Sequence, residues 1–216
     1  MKTYLDLVNQ VLVEMREEEA STVAQDEYTM LMGSFVNKAK AQVEDSYHWS
    51  ALLTDITLDT VIGQSKYSLT NTDNRAIIDV IVNEDGNSVL REAPRRWIDT
   101  KYKLGNVPST RATRWANDGV DANGDAVIVL HPLPAAIETH NISCWVRTPD
   151  FTTDLDECVV PFRPVVDLAL AFAVRERGEV QGQTSAEYFE LAKRSLSDEI
   201  AYDSARNADE EDWYWV

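Results

Sequence analysis

The hydrophobic pattern of this chain changes period twice, and these two changes constrain its fold more than any other feature. Residues 1–53 and 154–206 carry apolar side chains at helical spacing, whereas residues 54–153 alternate apolar and polar side chains between turns. The pattern therefore predicts an α+β fold: a helical bundle of N- and C-terminal helices, with a small antiparallel β domain inserted between the second and third helices, and an extended C-terminal tail.

Two helices are predicted before the β domain. Residues at helical spacing predict the first: Tyr4, Leu5, Val8, Val11, Leu12 and Met15. Thr22 and Gln25 have the spacing of a capping box, which predicts that the second helix begins there. The second apolar stripe comprises Tyr28, Leu31, Met32, Phe35, Ala39 and Val43.

Two further helices are predicted after the β domain. Pro161 suits a first helical position, and residues 165–174 are apolar almost all round. That helix must be covered on most sides, by its own domain or by a neighbouring copy. Thr184 and Glu187 form a second capping-box pattern before the last helix.

Turn residues divide the middle of the chain into five or six short strands. Asp85-Gly86 and Asn123-Gly124 each have the composition of a tight hairpin turn between apolar runs. The predicted organisation is therefore helical residues 1–53, an inserted β domain with a basic arm at 54–153, helical residues 154–206, and an acidic-aromatic docking tail at 207–216.

Composition argues against several classes of protein. With 20 Lys and Arg against 37 Asp and Glu, the formal net charge is -17, which disfavours an autonomous duplex-DNA binder. No apolar segment is long enough to span a membrane. The three histidines lie at no metal-ligand spacing, and no phosphate-binding, dinucleotide-binding or hydrolase motif occurs. We therefore predict no enzyme, no catalytic residues, no cofactor and no metal.

The charge is locally inverted between Arg91 and Arg114, where seven basic residues stand against two acidic ones. A solvated loop would explain this basic arm. The functional alternative is contact with an acidic surface of a neighbouring copy, and the candidate residues are Arg91, Arg95, Arg96, Lys101 and Lys103. Stacking of single-stranded nucleic acid on the interleaved aromatic residues is a weaker third possibility.

The C-terminus combines four consecutive acidic residues with three aromatic ones. Residues 209–212 are acidic, and Trp213, Tyr214, Trp215 and Val216 follow. Aromatic side chains at an exposed terminus favour aggregation unless they are covered, and Trp and Tyr are preferred interface anchors. These four residues are therefore predicted to form a docking peptide.

The order of short motifs along the chain resembles the head-to-tail adaptor family of short-tailed phages, the tail tubular protein A-like connectors. The motifs are Leu7-Val8-Asn9, Val11-Leu12, Ile56-Thr57-Leu58, Tyr67-Ser68-Leu69, Gly105-Asn106-Val107-Pro108, Pro132-Leu133-Pro134, Ile142 to Trp145, and Pro161 before an apolar helix. The basic arm and the acidic aromatic end depart from the family's pattern.

The resemblance implies a virion structural protein of the tail or neck, assembled in the host cytoplasm. Such proteins form a homo-oligomeric ring of 12 copies between the portal protein and the tail nozzle protein, and their C-terminal segments reach into the portal. DNA passes through the channel without specific binding. Asp85, Gly86, Asn123 and Gly124 are then candidates for the nozzle side. The alternatives are an acidic DNA mimic, another non-catalytic interaction protein, or an unrecognised carboxylate hydrolase.

Overall fold

A computed structural model describes residues 1–105, 107–178 and 185–206. The chain separates into two compact units: Met1–Leu52 with the chain from Thr148 onward, and Leu53–Arg147. We call these the helical unit and the β unit. None of the described helices combines the length and the apolar character needed to cross a membrane.

The helical unit contains four of the five described α-helices. They are α1 (Tyr4–Glu14), α2 (Glu27–Glu44), α4 (Phe162–Arg177) and α5 (Ser185–Ser204), and a short 3-10 turn covers Ser50–Leu52. Helix α4 packs against α1, α2 and α5. Its apolar residues 169–174 are all buried, so partners within its own unit cover this nearly all-apolar helix.

The second helix begins later than the sequence pattern predicted. Asp26 is its N-cap. The Asp26 side chain accepts a hydrogen bond from the Thr29 amide, and the Asp26 amide donates one to the Thr29 hydroxyl oxygen. The predicted capping box at Thr22 and Gln25 is wrong, because the Gln25 side chain accepts a hydrogen bond from the Ser21 amide instead. Pro161 is the N-cap of α4 rather than its first helical residue. Thr184 lies outside the described residues.

The β unit contains nine strands and helix α3 (Arg95–Lys103). The strands are β1 (Leu53–Asp59), β2 (Lys66–Ser68), β3 (Ile77–Asn83), β4 (Ser88–Glu92), β5 (Ser109–Thr110), β6 (Arg114–Val120), β7 (Ala126–His131), β8 (Leu133–Pro134) and β9 (Thr139–Trp145). Seven of them form one sheet in the order β1-β9-β3-β4-β6-β7-β2, and β5 pairs with β8. Ile81, Ile128, Leu130 and Ile142 are fully buried in the sheet's main core.

This architecture shows that the predicted fold was wrong in its description of the inserted part. The insertion is a large seven-stranded sheet, and β4 and β6 run parallel in it, so it is neither small nor purely antiparallel. The insertion also contains α3. Along the chain, α2 precedes the first four strands, α3 follows them, and α4 comes after the last strand. The extended C-terminal tail of that prediction lies outside the described residues.

Both cysteines are free and buried, Cys144 in the β unit and Cys158 in the helical unit. Burial is the main cause that raises the pKa of each thiol to about 11, with smaller contributions from Asp55 and Glu44 respectively. At neutral pH both thiols are therefore protonated and unreactive.

Candidate functional site

The predicted basic arm contains a helix and strand residues rather than a single solvated loop. Arg95, Arg96, Lys101 and Lys103 lie on α3, and Arg91 precedes them on β4. Ile98 is fully buried on the inner side of α3 and packs with Ala93, Ala116 and Val129. The Tyr102 hydroxyl donates a hydrogen bond of 2.6 Å to the Leu130 carbonyl oxygen. These contacts hold α3 against β6 and β7 and direct its remaining side chains outward.

Arg95 differs from Arg91, Arg96, Lys101 and Lys103 because its charge is compensated internally, as that of Arg111 is by Glu138. Its Nε lies 2.5 Å from Asp118 Oδ1, and its guanidinium also pairs with Asp99. Lys66 Nζ lies 2.5 Å from the other oxygen of Asp118. Burial alone would raise the pKa of Asp118, but hydrogen bonds from Lys66 and Arg95 lower it overall. Arg95 therefore fixes α3 to β6, and little of its charge is left for a partner.

Two of the other basic residues, Lys101 and Arg114, lie against a partly exposed tryptophan. Lys101 Nζ and Arg114 Cζ lie 5.3 and 4.9 Å from the ring centroid of Trp97, which is 36% exposed. His131 packs edge-on beneath the ring, with the centroids 5.1 Å apart. Burial, and then the charges of Lys101 and Arg114, lower the pKa of His131. The cations at this position are therefore not neutralised by neighbouring carboxylates.

We define the basic surface as Arg91, Arg96, Lys101, Lys103 and Arg114, together with Trp97, which contacts Lys101 and Arg114. Within the described ranges, none of these five side chains forms an ion pair. Arg91 and Arg114 are register partners on the parallel strands β4 and β6, so the surface continues from the sheet onto α3. Its positive charge is available to a partner of opposite charge.

An acidic surface lies towards the β1 end of the strand order. Strands β1, β9 and β3 contain neither Lys nor Arg. Ile56 and Leu58 of β1 pack against the core, and the alternate residues Asp55 and Asp59 are exposed. The Thr139 hydroxyl donates to Asp59 at 2.8 Å, Ser143 donates to Asp55, and Asn141 donates to Glu84. We define Asp55, Asp59 and Glu84 as the acidic sheet face.

The two predicted nozzle turns are not brought together. The turn at Asp85 and Gly86 precedes β4, whereas Asn123 and Gly124 lie in the turn that follows β6. Because β4 and β6 are parallel, the start of one strand and the end of the other point in opposite directions. The two turns therefore lie at opposite ends of this pair of strands.

A buried polar network that the sequence did not reveal supports the Asp85–Gly86 turn. Glu138 is 7% exposed, and its carboxylate accepts hydrogen bonds of 2.7 Å from Asn83 Nδ2 and from Arg111 Nε. Asn83 Oδ1 in turn accepts from the Gly86 amide at 2.7 Å. A β-carbon at Gly86 would lie 3.0 Å from the Arg111 side chain, so the turn and Arg111 are in close contact.

Comparison with known proteins shows the family. A family model described as SU10 adaptor protein matches residues 2–213 of the chain. The chain belongs to the SU10 adaptor protein family. No curated protein matches it.

An SU10 adaptor is a phage structural protein, a component of the virion that assembles with other head and tail proteins. The prediction of a phage adaptor is confirmed at this level, and the narrower tail tubular protein A-like assignment stays a prediction. Among the residues that the structure of this SU10 adaptor describes, no group of His, Cys, Asp and Glu side chains could hold a metal ion. Trp213, Tyr214, Trp215 and Val216 lie outside those residues.

Proposed function

We propose that this SU10 adaptor forms a ring of about 12 copies that joins the portal protein to the tail nozzle protein and lines the DNA channel. The observation that carries the proposal is the family match across residues 2–213. The number of copies and the two neighbours come from the resemblance to head-to-tail connectors. The basic surface is our candidate for the contact between neighbouring copies.

The net charge of the chain supports the proposed DNA channel as well as the proposed ring. DNA that must slide through a protein channel benefits from a negative wall, because the wall repels the phosphates and prevents adhesion. The net charge of -17 supports the proposal of such a wall. A DNA mimic would instead require carboxylates spaced along one uninterrupted face, and the basic surface on β4, β6 and α3 interrupts that pattern.

The two ends of the ring need separate contacts. We propose that Trp213, Tyr214, Trp215 and Val216 anchor each copy in the portal, because aromatic residues dominate the binding energy of many interfaces. The Asp85–Gly86 turn is the better supported nozzle contact, because buried Glu138 and Asn83 hold it in place. The Asn123–Gly124 turn stays a prediction as a nozzle contact.

Removal of residues 207–216 tests the portal contact. Full-length protein is expected to co-sediment with portal rings of the parent phage, and native mass spectrometry should then count about 12 copies. Protein ending at Arg206 should lose at least tenfold in portal affinity and keep its far-ultraviolet circular dichroism spectrum, because the described helices do not include the removed residues.

A second variant separates the aromatic anchor from the acidic residues. Replacing Trp213, Tyr214 and Trp215 with alanine retains residues 209–212 and should reproduce most of the loss. Unchanged affinity of the shortened protein would reject the anchor assignment. Failure of the full-length protein to bind portal rings, together with stoichiometric inhibition of a nuclease, would reject the adaptor ring in favour of a DNA mimic.

A further inference from the structure

We infer that the basic surface of one copy binds the acidic sheet face of the next copy, so that both halves of the ring contact lie on the β unit. This inference rests on the proposed ring and names its partner surfaces. The sequence indicated only that some acidic surface of a neighbour would be involved. The structure shows two complementary surfaces on one compact unit, at separate positions along the strand order.

The basic surface has the composition of a contact site. Trp97 provides a partly exposed aromatic centre, and Lys101 and Arg114 lie against its ring. Neither Lys101 nor Arg114 forms an ion pair with a described residue. An aromatic centre with two such cations is suited to a partner that carries carboxylates.

The acidic sheet face has the complementary composition. Asp55, Asp59 and Glu84 are exposed and form no ion pair with any described residue. Hydrogen bonds from Ser143, Thr139 and Asn141 orient their carboxylates. Oriented carboxylates lose less side-chain entropy when arginine or lysine binds them, and this lowers the cost of forming the contact.

The two surfaces lie on different strands of the sheet, and this indicates the type of interface between copies. The acidic sheet face lies on β1, β9 and the end of β3, and the basic surface lies on β4, β6 and α3. When the basic surface of each copy meets the acidic sheet face of a different neighbour, the contact is heterologous, and a heterologous contact repeated from copy to copy produces a closed ring when its rotation closes.

The distribution of charge along the chain favours contacts between copies through the β unit. Residues 53–147 contain 12 acidic and 10 basic side chains, so the β unit is almost neutral although the whole chain carries -17. Two almost neutral units with opposite local surfaces can approach each other. Contacts through the acidic remainder of the chain would bring like charges together.

A charge swap tests the pairing. The variant Arg96→Glu with Lys101→Glu, and the variant Asp55→Lys with Asp59→Lys, should each reduce ring assembly on portal rings at least tenfold at 150 mM salt. A chain with all four substitutions again places opposite charges at the four exchanged positions, glutamates on α3 and lysines on β1. It should form rings with itself and should be excluded from wild-type rings, which native mass spectrometry of a mixture would show by mass.

The variant Lys193→Glu with Arg194→Glu is the matched control. It changes the net charge as much as the basic-surface variant does, on the exposed side of α5, and should assemble normally. Wild-type assembly should weaken as salt is raised from 50 to 500 mM, because salt screens exposed ion pairs.

The outcomes separate this inference from the proposed ring. If wild-type protein forms rings and every charge variant assembles equally well, the pairing is wrong and the ring stands. If wild-type protein forms no ring on the portal, the proposed function fails first. If Arg96→Glu with Lys101→Glu abolishes binding of a fluorescent 30-nucleotide DNA and leaves assembly unchanged, the basic surface binds nucleic acid and the inference is overturned.

Discussion

Lys40 shows how one side chain of the helical unit fixes segments that are far apart in sequence. It lies on α2 and is 1% exposed. Its Nζ donates to the carbonyl oxygens of Thr148 and Pro149 at 2.9 and 2.8 Å and lies 3.4 Å from Glu44 Oε1. Glu44 also accepts from the Thr148 hydroxyl at 2.6 Å. A buried charge with several hydrogen bonds positions the chain where it returns from β9 to the helices.

Replacement of Lys40 with methionine should lower the free energy of unfolding by about 3–5 kcal/mol, because it removes a buried ammonium from the Glu44 carboxylate and from the carbonyl oxygens of Thr148 and Pro149. Urea denaturation followed by circular dichroism measures this change. The control is Lys193→Met, since Lys193 pairs with Glu190 on an exposed surface and should cost less than about 1 kcal/mol. Additional replacement of Glu44 with leucine should recover part of the loss. Equal effects of Lys40→Met and Lys193→Met would contradict this account.

The sequence predicted the elements whose signals are local. The alternation at Ile56 and Leu58 lies in β1, and the Asn123-Gly124 turn joins β6 to β7 as expected. Helix α3 was not predicted, because nine residues with four cations and one buried aliphatic side chain, Ile98, have no clear apolar stripe. The sequence also did not show which cations of this segment form ion pairs within the fold and which do not. Arg95 is neutralised by Asp118, which lies 23 residues away and meets it only through the fold.

The hairpin of β3 and β4 depends on contacts from outside its own sequence. Asn83 precedes the turn and is fully buried, and it binds both Glu138 and the Gly86 amide. Arg111 reaches the same carboxylate from the segment between β5 and β6. Three segments therefore meet at Glu138, and the position of the turn follows from this carboxylate.

Replacement of Glu138 with glutamine should lower the free energy of unfolding by about 1–3 kcal/mol, because the amide retains only one acceptor oxygen for two donors. Hydrogen exchange at the Gly86 amide should accelerate more than exchange at the Gly124 amide, which lies in the other turn. The control is Glu92→Gln on exposed β4, where little change is expected. Equal acceleration at both amides would mean that Glu138 stabilises the whole sheet without positioning the turn.

At the scale of the whole molecule, the β unit is an insertion whose first and last strands pair with each other. Leu53, the first residue of β1, is the register partner of Trp145, the last residue of β9. Every described strand that pairs in the main sheet lies between these two residues. The core around Ile81, Ile128, Leu130 and Ile142 also comes from this segment alone. A unit with its own core and adjacent ends meets the requirements for independent folding.

A protein consisting of residues 53–147 should therefore fold by itself. It should give a dispersed amide NMR spectrum and unfold cooperatively, with blue-shifted tryptophan fluorescence because Trp115 is only 5% exposed. The matched control is residues 53–120, which lacks β7 and β9 and so removes the sheet partner of β1 and of β2 and one of the two partners of β3 and of β6. We expect this shorter fragment to be unfolded, since strands without their neighbours lose both hydrogen bonds and buried area. A collapsed spectrum for residues 53–147 would show that the sheet needs the helical unit in order to fold, and the ring contact would then have to be tested only in the full chain.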